Sequence, residues 1–164
     1  CLQGDIFQVT NGDASSTGLL QHAAAASSPG NNTRFLSTVY TGDASVYLPY
    51  THIYSIQTRA TGLPSLFMQD SSGTQEMATG IEDLLILYGE DMDGDGVANR
   101  YVQANSVSNM DNVVSVRIYL VAISAEDNLA AASMAYVVNG QTLTPSDKRL
   151  RRVYSATIPL GNRG

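Results

Sequence analysis

Apolar and polar residues alternate most regularly between Val113 and Ile123. Val114, Val116, Ile118, Leu120 and Ala122 share one parity, and Ser115, Arg117 and Tyr119 the other. Period two over a whole segment predicts a strand with a core face and a wetter face. It places Val116, Ile118 and Leu120 among the least exposed residues. A second run, Ile81 to Tyr88, is almost continuously apolar and suits a strand, although Glu82-Asp83-Leu84-Leu85 fits a helix start equally. Arg152 to Leu160 sets Tyr154, Ala156, Ile158 and Leu160 on one side. Pro159 has no N–H to donate, so this strand belongs on an edge or ends there. Shorter strands are expected at Ile6 to Val9, Val46 to Leu48, His52 to Thr58, Ser65 to Met68 and Tyr136 to Val138. Pro49, Gly62-Leu63-Pro64 and Ser71-Ser72-Gly73 separate the middle ones. Asn139-Gly140 follows the last and is a hairpin turn signal.

Between these strands the chain is irregular. Asn11 to Asn32 is rich in Gly, Ser, Ala and Asn, with Pro29-Gly30 as a turn signal, and reads as a long surface loop. One helical turn at Ala23 to Ala26 is the most it offers. The fold class is therefore α+β, mainly β, built on an antiparallel sheet. At 164 residues and 43% hydrophobic, the chain can bury its core as one globular domain over residues 1–164. No internal repeat is present.

Charge narrows the functional classes. A net charge of −6 argues against a nucleic-acid surface, which would be basic. Seven of fifteen acids lie between Glu76 and Asp95, and five of nine basic residues from Lys148 onward. Most of both runs reads as solvated face, with head-to-tail packing of subunits as a weaker reading. No run approaches the roughly twenty apolar residues that a membrane helix requires, and no signal-peptide pattern appears.

The densest chemistry lies in Asp91 to Gly96, Asp-Met-Asp-Gly-Asp-Gly. Carboxylates at alternate positions, with glycines that permit a tight coil, can bring three hard oxygen ligands onto one point, as Ca²⁺ requires. Asp91, Asp93 and Asp95 fill positions 1, 3 and 5 of a calcium loop. Val97 offers its carbonyl at position 7, and Asn99 a ligand or water contact at position 9. Position 12 is Val102, so the bidentate Glu is missing, and no helical periodicity flanks the loop. The pattern describes a calcium-type loop between strands rather than an EF-hand. A closing oxygen would come from Glu90, Asp111 or water. The plainer alternative is a solvated Asp/Gly turn that binds nothing.

Catalytic machinery is not evident. His22 falls in the Ala/Ser loop and His52 in an expected strand, and no serine sits in a Gly-x-Ser-x-Gly elbow. Glu82 and Asp83 are neighbours, so on a strand they point to opposite faces and form no carboxylate pair. Nine tyrosines without a tryptophan leave an aromatic sugar platform as an alternative. The expectation is not an enzyme.

Several blocks then align in order. Cys1-Leu2-Gln3-Gly4-Asp5-Ile6-Phe7-Gln8-Val9-Thr10, Gly80-Ile81-Glu82-Asp83-Leu84 and Leu87-Tyr88-Gly89 come first. The acidic loop and Asn99-Arg100-Tyr101-Val102 follow, then Asn112 to Ile118, then Arg149 to Ser155. Together they resemble the C-terminal part of PilW, a minor pilin of bacterial type IV pilus systems. Asn99 stands where family members commonly carry Asp, and the family's N-terminal prepilin helix is absent from these residues. A lone cysteine at position 1 suggests a disulfide partner upstream in a longer protein, with a free buried thiol or a lipidated N-terminus as the alternatives.

The resemblance implies a pilin-like globular head with a structural role in pilus assembly initiation and the tip complex. Its partners would be other minor pilins, with a pilus tip adhesin as a further candidate. It would contact a membrane only through the missing N-terminal helix, anchored in the inner membrane and facing the periplasm before assembly, then on the cell surface. A calcium-stabilised extracellular adhesion or carbohydrate-binding module is the alternative, favoured if tyrosines cluster on one face. A secreted hydrolase domain would instead need a cleft with paired carboxylates or a Ser-His pair.

Overall fold

The computed structural model describes residues 3–24, 28, 30–60 and 62–161. By compactness the chain divides into two units, residues 1–48 and 49–164, where one domain over 1–164 is the expectation from sequence. Cys1 and the Pro29 half of the expected turn lie outside the described residues, as do Ala25 and Ala26.

The first unit contains α1 (Ala14–Thr17) and, among its described residues, no strand. The expected strands at 6–9 and 46–48 do not form. Local side-chain bonds take the place of a ladder. The Asn31 amide accepts from Gln8 N–H at 2.6 Å and donates to the Gln8 and Ala23 carbonyls. Asp5 accepts from Ser37 and from the Tyr40 hydroxyl. These bonds hold Asp5 below the ordinary carboxylate range, with Tyr40 the largest cause.

The second unit is built from antiparallel strands. β1 (Ile53–Thr58), β2 (Pro64–Asp70) and β3 (Gly73–Thr79) form one sheet in that order. β4 (Ile81–Glu90), β5 (Arg100–Val102), β6 (Val113–Ile123) and β9 (Arg151–Pro159) form the larger sheet, in the order β5-β4-β6-β9. β7 (Tyr136–Val138) and β8 (Gln141–Leu143) make a separate hairpin. Residues 81–90 are thus strand throughout, not helix, and the fold is mainly β as expected. β9 is an edge strand that ends on Pro159, where a missing donor costs least.

Turn chemistry joins these elements where the backbone demands it. Asn139 and Gly140 have φ of 48° and 76°, the positive pair that a tight hairpin turn requires. Gly80, at φ 75°, links β3 to β4. Its N–H donates to the Pro64 carbonyl, and its own carbonyl accepts from Ile123 N–H. A Cβ there would come 2.9 Å from the Ile123 carbonyl oxygen, so the junction between the sheets excludes a side chain.

Burial corrects the reading of β6. Val113, Ser115 and Val121 are its buried residues, whereas Val116, Ile118 and Leu120 are only half-buried. Leu87 on β4, 2% exposed, joins this core, and so do Met68 and Val138. Cross-strand partners share a face, so Val116, Ile118 and Leu120 lie with Tyr88, Ile86 and Leu84 of β4 and with Ile158, Ala156 and Tyr154 of β9. Alternation correctly groups the residues of each face. It does not show which face the rest of the chain covers.

Candidate metal centre

The acidic loop is the connection of the β4–β5 hairpin, and its base is Glu90 paired in register with Arg100. Asn99 N–H donates to the Glu90 carbonyl at 2.8 Å, and Asp91 N–H donates to the Asn112 carbonyl at 2.8 Å. The loop is thereby tied to its own hairpin and to the segment entering β6.

Within it, Asp91 organises the coil. Its Oδ1 accepts from the N–H groups of Asp93 and Gly94, and its Oδ2 from Gly96 at 2.8 Å. Donation from Gly96 and then Gly94 holds Asp91 below the ordinary carboxylate range, although burial opposes this. Gly94 and Gly96 have φ of 80° and 83°, which lets successive N–H groups turn inward onto one carboxylate. Asp95 Oδ1 accepts from Val97 N–H.

Carboxylate oxygens of Asp91, Asp93 and Asp95 lie within 4.8 Å of one another. Ca²⁺ binds oxygen at 2.3–2.6 Å, so two ligands across the ion stand roughly 5 Å apart. The hard, oxygen-only donor set and its spacing therefore fit calcium. Asp91 is buried while Asp93 and Asp95 are exposed, so the group is open on one side. Beside it lies a depression of about 640 Å³ lined by residues including Asp91, Asp95, Asp111 and Asn112.

The other expected ligands take different positions. The Asn99 Oδ1 accepts from Met92 N–H at 2.6 Å while its Nδ2 donates to Asp93 at 3.3 Å. Asn99 thus braces the loop, and position 9 would act on an ion through water. Val97 is exposed at the loop's end.

Glu90, a candidate closing ligand, is committed elsewhere. Its side chain is fully buried, and Oε2 meets Arg100 Nη2 at 2.7 Å and Nε at 2.9 Å. Oε1 accepts from Ser108 N–H at 2.8 Å, Ser108 Oγ at 2.5 Å and Asn109 N–H at 3.3 Å. The Ser108 hydroxyl is the chief reason that the Glu90 carboxyl falls to about 2. A closing oxygen would therefore come from Asp111 or water. The parts played by Arg100, Ser108 and Asn109 escape sequence reasoning, since only the fold brings residues 100 and 108 onto Glu90.

Charges elsewhere are largely consumed internally. Arg151 is buried between Glu82, at 2.7 Å, and Asp147, at 2.6 Å. Arg149 donates to the Ser124 and Ala125 carbonyls, and the Arg152 guanidinium lies 5.3 Å from the Tyr154 ring centre. Much of the basic run thus supports the fold. Tyr50, His52 and Tyr54 form an exposed row, with ring centres 5.1 and 6.3 Å apart. Their planes are tilted by 46° and 88°, so they share no flat platform for a sugar. His22 packs its ring against Phe7.

No curated protein and no solved structure matches the chain. The family model described as Type IV Pilus-assembly protein W matches residues 53–162, more than half of the chain and nearly all of the unit that carries the sheets and the acidic loop. On that match, the chain belongs to the PilW family of type IV pilus-assembly proteins.

Proposed function

We propose that this protein is a structural minor-pilin head that takes part in initiating type IV pilus assembly and in the tip complex, with a Ca²⁺ ion stabilising its β4–β5 loop. Family membership over residues 53–162 supports the assembly role. The observation that carries the metal reading is the convergence of the Asp91, Asp93 and Asp95 oxygens within 4.8 Å. Three carboxylates so close repel one another, and a divalent cation would offset that repulsion. Asp91, Asp93 and Asp95 would bind it directly, joined by the Val97 carbonyl and, through water, by Asn99. Missing a bidentate closing Glu, the site would have a Kd on the order of 10⁻⁴ to 10⁻³ M, which environmental calcium can satisfy.

The partners would be other minor pilins, and a tip adhesin where one is present. A prepilin helix of the kind the family carries would hold the protein at the inner membrane before assembly. Among the described residues, no helix is long and apolar enough to cross a membrane. Function would then reside in contacts rather than chemistry.

Two experiments test these parts separately. Co-purification of the full-length protein with the other minor pilins should recover a heteromeric complex. Failure to recover one from membranes that contain every subunit would overturn the assembly reading. Isothermal titration of the protein with Ca²⁺ should show one site with a Kd on the order of 10⁻⁴ to 10⁻³ M. Absence of binding at 10 mM would reduce the loop to a turn.

A further inference from the structure

We draw no further inference here: the strongest candidate, the half-exposed apolar face of the four-stranded sheet around Ile86, Val116, Ile118, Leu120 and Ile158, carries nothing because nothing in the structure shows what covers it.

Discussion

Glu90 and Arg100 close the base of the acidic loop as a two-pronged ion pair, with Arg100 Nη2 and Nε at 2.7 and 2.9 Å from one carboxylate oxygen. The other oxygen is held by Ser108 and Asn109, so a buried charge has every lone-pair direction met. Removing Arg100 leaves the buried Glu90 charge without its counterion, and removing Glu90 leaves the Ser108 and Asn109 donors without their acceptor. Glu90→Ala and Arg100→Ala should each lower the melting temperature by more than about 5 °C. Glu90→Gln, which keeps the shape and an acceptor, should cost less. Circular-dichroism melts of the three variants check this ordering.

Acid should unfold the protein through the same group. The Glu90 carboxyl falls from the ordinary 4.5 to about 2, chiefly through the Ser108 hydroxyl. Asp147 is also held well below the usual carboxylate range, chiefly by Arg151. A depressed folded value means that the unfolded chain takes up protons first. The stabilisation is therefore complete above about pH 5 and is lost as pH falls from 4.5 toward 2. Denaturant midpoints measured with chelator present should fall through that window, and Glu90→Gln should flatten the fall. A midpoint independent of pH between 5 and 2 would contradict the assignment.

Calcium should raise the stability of the wild type. With a Kd of 10⁻⁴ to 10⁻³ M, 10 mM Ca²⁺ adds about 1.4–2.7 kcal/mol, a rise of several degrees in melting temperature. Asp93→Ala should abolish that rise and leave the calcium-free melt almost unchanged, because Asp93 is exposed. Asp91→Ala should abolish the rise and also lower the calcium-free melt, because Asp91 accepts three loop N–H groups. The contrast separates ligation from loop support.

Gly89 tests packing under the loop. A Cβ there would collide with Ser115 Oγ and come within 2.8 Å of Ala98 Cβ and 2.9 Å of Tyr101 Cε1. Gly89→Ala should cost about 1–3 kcal/mol through overpacking. Leu87→Ala, two positions earlier and 2% exposed, should cost about 2–5 kcal/mol through a cavity. Urea denaturation of both variants measures the two effects.

The unit boundary makes a separate prediction. The family match starts at residue 53 and the second compact unit at residue 49. Residues 49–164 expressed alone should melt cooperatively, with proton NMR dispersion like that of the full chain. A molten or aggregated product would show instead that residues 1–48 complete the fold.

Local chemistry was legible in the sequence. Period two marked Val113–Ile123 to the residue, Asn139-Gly140 announced the β7–β8 hairpin, and Pro159 placed β9 at an edge. The Asp91, Asp93, Asp95 spacing identified the cluster, because ligands two residues apart in one coil need no distant partner to converge. Strands with a weak signal of their own were not legible. β3 carries few apolar residues and β5 is three residues long, so both depend on pairing with a stronger neighbour. Ile6 to Val9 shows the reverse case, an apolar run that finds no ladder partner among the described residues. Tertiary structure alone decided which face of β6 is buried, since the alternation is identical whichever side is covered. It also decided the role of Glu90. The sequence presents a carboxylate beside a metal loop, and chain folding delivers Arg100 and Ser108 to claim it.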